Sequence, residues 1–367
     1  MSEEINHAER EHAELSMSSL ARGIKCAYSV PMTRDLPRTS NEAADRGTYM
    51  HECAEYVFLN GEYPEQAEGK APLTDAEKEI VDLYVHYATD LKEKAFWLSL
   101  ECRVKVNERC WGTADLLALV REDDKLILYV VDLKTGYVSV EADCYQLKGY
   151  ALGSLKMVEG MADPDEIRTV IVQPKDYPPI KEHSYHPDEV WPLEDEIDNA
   201  LASADSDNPY WAVGEHCRWC PLAPTCPKMN AHLKSAFEDE TIDLGDALHL
   251  AGIAENWAKR VRASAEEALS KGETISGWKL VQGRSIRKWK DESAYPALEV
   301  LLREEAFEKK YISPTQAEKL VGKAAFADSV LNDLVIKPEG KISLAPASDR
   351  RPAVNGTSVE EMFENIA

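Results

Sequence analysis

The sequence predicts an α/β fold on three observations. Apolar residues recur at helical spacing through the N-terminal part, a strand-turn-strand pattern occupies residues 113–134, and a helix-period segment at 141–157 separates that hairpin from a further apolar strand, Arg168–Gln173. A helix between two strands marks a crossover, so helices followed by a mixed sheet describe an α/β core with a helical cap. The chain has 367 residues, 44% of them hydrophobic, which suffices for a main domain plus an addition.

Taken in order, residues 16–28 read as a short helix that brings Cys26 towards the core, and residues 40–59 as a second helix carrying His51. Thr74-Asp-Ala-Glu77 has the form of a capping box for a third helix, with Ile80, Leu83, Tyr87 and Leu91 at helical spacing. Residues 97–106 form the first strand, followed by the hairpin. In the helix at 141–157, Gln146 and Tyr150 share a face at i and i+4. A helix at 188–204 leads into Cys217-Arg-Trp-Cys220-Pro-Leu-Ala-Pro-Thr-Cys226. Residues 1–236 are read as one domain, 237–352 as an appended α+β region and 353–367 as an acidic tail. The appended region is expected to hold a helix at 246–271, a hairpin at 277–290, a helix at 292–308, and one opened by Ser313-Pro314 that ends at Gly322.

The hairpin carries the chemistry. Residues 113–121 and 126–134 are rich in β-branched, aliphatic and aromatic side chains, and Glu122-Asp-Asp-Lys125 reads as the turn. With the turn centred between Asp123 and Asp124, Asp115 lies across from Asp132, and Lys134 shares their face because side chains alternate. Facing like charges cost stability. Either both carboxylates stand on a solvated face, or a cation lies between them. A divalent metal, with Lys134 beside it to meet a phosphate or a water, fits the second reading.

A formal net charge of −24 excludes a surface that coats nucleic acid generally, since duplex binding is dominated by phosphate neutralisation. Any such contact is local. Residues 277–352 hold 14 Lys and Arg against 11 Asp and Glu, a balance of +3, and Arg284, Arg287, Lys288 and Trp289 interleave cations with an aromatic ring. That pattern suits backbone tracking with base stacking, and equally a hairpin with its tryptophans packed inward. No signal peptide or membrane-spanning run is visible, so a cytosolic protein is expected. Its eight cysteines then read as buried thiols and metal ligands rather than disulfides. Cys217, Cys220 and Cys226 have a spacing suited to zinc or an iron-sulfur cluster, whereas Cys53, Cys102, Cys110 and Cys144 fit no ligand pattern.

Gly112-Thr-Ala-Asp115, then Asp132-Leu-Lys134, then Gln146-Leu-Lys-Gly-Tyr150 resembles the RecB-type branch of the PD-(D/E)xK nucleases. Gly47-Thr-Tyr-Met-His51 looks like the histidine element of the iron-sulfur members of that branch, and the Cys217–Cys226 segment is similar to their C-terminal cysteine cluster. The likeness spans roughly residues 16–230, and the nearest overall likeness is to an uncharacterised family encoded by phages and prophages. It implies a restriction-endonuclease-like core, a mixed central sheet flanked by helices. Mg²⁺ or Mn²⁺ would be held by Asp115, Asp132, the Leu133 carbonyl and His51. Lys134 would orient or deprotonate the attacking water, with Gln146 and Tyr150 positioning it or the DNA backbone. Cys26 would join the other three cysteines around a [4Fe-4S] cluster, with zinc as the alternative. Glu101, on the preceding strand, reads as a surface glutamate or a water-mediated neighbour of the metal.

The function expected is a metal-dependent DNA exonuclease of phage recombination or end processing, working in the bacterial cytosol, with a single-strand annealing protein as a candidate partner. An endonuclease or a helicase-associated nuclease module is the alternative within enzymes. A DNA-binding protein with a decayed site and a structural metal cluster is the alternative outside them.

Overall fold

The computed structural model describes residues 13–36, 42–64, 70–238, 241–281 and 314–327, with Ser329 and Val335. Its contacts fall into two units, residues 1–281 and 282–367. The first unit opens with β1 (Leu15–Ser16), a 3₁₀ turn (Met17–Ser19), α1 (Leu20–Lys25) and α2 (Ser29–Arg34). The single helix expected at 16–28 is therefore interrupted. Cys26 adopts an extended backbone (φ −149°, ψ 83°), and Pro31, which has no N–H to donate, sits in the first turn of a new helix.

Two long helices follow, α3 (Glu42–Asn60) and α4 (Asp75–Lys94). The Thr74 hydroxyl accepts from the Glu77 N–H, and the Glu77 carboxylate accepts from the Thr74 N–H, so the expected capping box is present. Glu77 also receives Arg46 of α3 at 2.7 Å, which ties the start of α4 to its neighbour.

Six strands form a mixed sheet: β1, β2 (Ala95–Lys105), β3 (Cys110–Glu122), β4 (Lys125–Leu133), β5 (Glu166–Val172) and β6 (Ile180–Tyr185). β3 pairs antiparallel with β2 along one edge and with β4 along the other, and β1 runs parallel to its first two residues. The β3–β4 register is the expected one, from Leu116 opposite Val131 to Glu122 opposite Lys125. Asp123 and Asp124 both have positive φ (45° and 65°), the two-residue turn whose twist matches a hairpin. β4 and β5 are parallel, joined through α5 (Tyr145–Val158), and β6 returns antiparallel.

The sheet is covered on both faces. Leu128 and Val130 join the core made with α1, α5 and α6 (Leu193–Ala204). Ile127, Tyr129 and Val131 join the core made with α3 and α4. β2 and β3 break this alternation at one level: Leu116 and Leu100 face the α3–α4 core, whereas Ala114 and Cys102 face the α5 core. Between them stand Asp115 and Glu101, and Glu101 has φ 45°, a left-handed conformation uncommon for a glutamate.

The chain continues through two 3₁₀ turns, Glu215–Trp219, which holds Cys217 and is followed by Cys220, and Ala223–Thr225, followed by Cys226, to α7 (Pro227–Glu238) and α8 (Leu244–Ser270). α8 was expected in the appended region, but it lies in the first unit and packs Ile253 against Met229 and Leu233 of α7. Residues 277–281, expected to start a hairpin, are not in a strand, and Trp278 is exposed. In the second unit, α9 (Pro314–Val321) ends at Gly322 (φ 89°), as expected, and α10 (Lys323–Ala327) follows. The helix expected at 292–308 and the tail lie outside the described residues. Among the described residues no helix is long and apolar enough to cross a membrane.

Candidate metal-dependent active site

The site lies where β4 ends. Asp115 comes from β3, Asp132 and Lys134 from β4 and the residue after it, Gln146 and Tyr150 from α5, and His51 from α3. The structure brings together all six side chains that the sequence singles out here. The Leu133 N–H donates to Asp115 Oδ2 at 2.8 Å, and His51 Nδ1 lies 3.3 Å from the same oxygen. Lys134 Nζ lies 2.7 Å from Asp132 Oδ2 and donates to Gln146 Oε1 at 3.0 Å. The Gln146 amide N–H in turn reaches Asp132 Oδ1 at 3.4 Å and the Tyr150 hydroxyl at 3.3 Å. Asp132 Oδ2 is buried and, despite the nearby ammonium, has no hydrogen bond of acceptable geometry.

Small residues permit this convergence. A Cβ on Gly47 would stand 3.1 Å from Thr135 Oγ1, so glycine lets α3 approach the loop after β4 and bring His51, one turn on, to Asp115. A Cβ on Gly112 would lie 2.8 Å from Met17 and 3.0 Å from the Tyr150 ring, so Tyr150 packs directly on the β3 backbone. The loop from β4 to α5 is fixed by buried Gln173. Its amide donates to the carbonyls of Gly136 and Val138, and its oxygen accepts from the Val140 N–H.

The electrostatics separate the two aspartates. Burial opposes charging of both, but His51, the Leu133 N–H and Lys134 hold the Asp115 carboxyl below its ordinary value. Asp132 is pushed up by burial and by Asp115, against the opposing pull of Lys134. Although burial disfavours the imidazolium, Asp115, Asp132 and Glu101 raise His51 to about 9. Lys134 is likewise raised by Asp132 and Asp115 in spite of burial. Tyr150 is pushed up by burial and by the same carboxylates, so it remains a phenol.

Glu101 corrects the sequence reading. It is half-buried rather than a surface glutamate, and the β2–β3 register sets it across from Asp115. Among the described residues the ligand atoms of His51, Glu101 and Asp115 lie within 4.8 Å of one another, the one such acidic or histidine trio, and Asp132 is turned towards Lys134 instead. The signal available in the sequence was its place opposite Asp115 once strand 97–106 is paired. The left-handed backbone that brings it inward has no such signal, because glutamate does not favour it.

Cys26, Cys217, Cys220 and Cys226 line one small cavity and are all unpaired thiols. Burial pushes Cys217 up to about 11, and the other three sulfurs add to the shift. The N-terminal part meets this segment through the Tyr28 N–H, which donates to the Tyr210 carbonyl at 3.0 Å, and the Tyr210 hydroxyl, which donates to the Ile24 carbonyl at 2.7 Å. Cys53 and Cys110 are buried in the cores, and Cys102 and Cys144 pack against them. Arg284, Arg287, Lys288 and Trp289 lie outside the described residues.

The chain belongs to the family described as "Protein of unknown function (DUF2800)", whose model matches residues 12–352. Among solved structures, the one titled "Crystal structure of SSO0001" is similar over 61% of this chain and 91% of its own, at 15% identity and a TM-score of 0.33. A likeness that slight carries no argument about function.

Proposed function

We propose that the chain is a divalent-metal-dependent deoxyribonuclease with a RecB-like PD-(D/E)xK core, acting as an exonuclease in DNA end processing or phage recombination. The observation that carries the reading is the meeting, at the end of β4, of a half-buried and a buried carboxylate of unequal acidity with a lysine held between Asp132 and Gln146. A core that only needed packing would not bury so many charges in one place.

The donor set fits Mg²⁺ or Mn²⁺, since Asp115 and Glu101 offer hard oxygens and His51 a nitrogen, with Asp132 beside them on Lys134. Asp132 Oδ2, 2.7 Å from Lys134 Nζ, would exchange that ion pair for the metal on joining the site. When bound, such an ion would supply Lewis-acid charge for phosphodiester hydrolysis. Lys134, held protonated, steadies negative charge on the phosphate and orients the attacking water by donation. Gln146 accepts from Lys134 and donates to Asp132 and Tyr150, so it fixes both charged groups against the α5 face.

The four cysteines would hold a structural metal group. Four thiolates around one cavity suit either a [4Fe-4S] cluster or zinc, and the resemblance favours the cluster. A single-strand annealing protein would be a fitting partner for the DNA product.

The test is incubation of the full chain with end-labelled linear and closed circular DNA, with Mg²⁺ or Mn²⁺ and with chelator. Loss of linear DNA from its ends, with circles spared and chelator inhibiting, is expected. Cleavage of circles would make it an endonuclease, and no cleavage under any metal would overturn the reading.

A further inference from the structure

Around the cysteine cavity the chain reverses its charge. Residues 208–237 contain a single carboxylate, Glu215, where 66 acidic residues in 367 would place about five. Arg218 and Lys228 lie on this segment, Arg22 and Lys25 on α1, and Lys259 and Arg260 on α8. Among the described residues none of these six has a carboxylate within 4.0 Å. Elsewhere in the same unit Arg34, Arg46, Arg109, Arg168 and Lys181 are each paired with one.

Several of the unpaired cations stand over aromatic rings. Lys228 Nζ lies 5.0 Å from the Trp211 ring centre and 5.5 Å from that of Tyr28, and the Arg218 guanidinium lies 5.1 Å from that of Trp219. Arg22, Tyr28 and Lys228 line the same cavity as the four cysteines, and Arg260 donates to the Arg218 carbonyl at 3.0 Å, which joins α8 to this rim. Trp219 is 66% exposed and Trp211 41%. Exposed tryptophans beside unneutralised cations, in a chain that is otherwise strongly acidic, match a polyanion whose repeating units also have flat apolar faces. An acidic protein would answer the charge alone.

We infer that this face binds single-stranded nucleic acid, with phosphates on Arg218 and Lys228 and bases on Trp219 and Trp211. The inference rests on the nuclease reading only in naming nucleic acid as the occupant. The test is fluorescence anisotropy of a labelled oligothymidylate with the full chain, as purified and without added divalent metal, so that binding is read without cleavage. Arg218→Ala/Lys228→Ala is expected to bind at least tenfold more weakly, with a log–log salt slope smaller by about 1.4, since each lost single-strand phosphate contact removes about 0.7. Trp219→Ala is expected to bind roughly tenfold more weakly with the slope unchanged, because stacking releases no counterions. Lys271→Ala, at a lysine paired with Glu267, should match wild type.

Unchanged affinity and slope in the double variant, with its sulfur-bound metal intact, would overturn the inference. So would labelled polyglutamate bound as tightly as the oligonucleotide and lost in the same variants, which would make the partner an acidic protein. Should the double variant lose its metal, Trp219→Ala, whose side chain does not line the cavity, decides in its place. Binding through these residues by a protein that never cleaves would leave this inference standing and remove the nuclease reading. Cleavage by a protein whose DNA binding ignores these residues would do the reverse.

Discussion

At the residue scale, the site is a balanced cluster: Asp115 is satisfied by His51 and the Leu133 N–H, while Asp132 depends on Lys134 and Gln146. Removing one member should therefore cost more than removing a pair. In the metal-free protein Lys134→Met should destabilise by about 2 kcal/mol, because it leaves the buried Asp132 carboxylate without its counter-charge. Asp132→Asn/Lys134→Met should cost less than the sum of the two single changes, and urea unfolding of all four proteins completes the cycle. Additive costs would show that the 2.7 Å contact carries no coupling. Most of these residues were legible in the sequence because hairpin register is set by alternation and turn length, which placed Asp115, Asp132 and Lys134 together. Glu101 was legible only as a surface residue or a water-mediated neighbour, since its direct entry depends on a backbone conformation that its residue type disfavours.

At the element scale, the site depends on how closely α3, α5 and β3 approach. Gly112→Ala would drive a methyl group into Met17 and the Tyr150 ring. It should cost about 1–3 kcal/mol in unfolding free energy, with a changed near-ultraviolet dichroism from displaced Tyr150. A wild-type stability would show that β3 and α5 have slack there. The pairing of α3 with α4 is open to a pH test. Glu77 is held at about 2, first by Arg46 and, against some desolvation, by the Thr74 cap. A folded-state value below the unfolded one gives stability that is present above about 4.5 and lost as pH falls towards 2. Glu77→Gln should therefore flatten the fall in urea midpoint between pH 5 and 3, and an unchanged fall would refute the assignment. Thr74→Ala should cost about 1 kcal/mol at neutral pH. The capping box and the strand order could be read from residue types at fixed spacing. The break between α1 and α2 could not be read that way, because it is set by the extended Cys26 at the cysteine cavity, a tertiary demand on a locally helical stretch.

At the scale of the whole molecule, the N-terminal helices and the cysteine segment, far apart in the sequence of the first unit, meet through Cys26 and the Tyr28–Tyr210 contact. If the four cysteines hold an iron-sulfur cluster as proposed, Cys26→Ala should lose it together with the broad absorption near ~400 nm of thiolate-ligated iron, and should unfold at a lower temperature. Retained iron and colour in that variant would show that the fourth ligand lies elsewhere. The sequence disclosed this long-range meeting only through cysteine spacing and resemblance, and it misjudged where α8 belongs, because an amphipathic helix does not reveal which neighbour its apolar stripe will cover. The central claim is that the cluster at the end of β4 hydrolyses phosphodiester bonds. Its most direct test is the rate of Mn²⁺-dependent release of nucleotide from end-labelled linear DNA by wild type, Asp115→Asn and Lys134→Met, each with its fold checked by circular dichroism. Wild-type activity with a loss of at least a hundredfold in both variants is the expected result, and equal rates in all three folded proteins would contradict it.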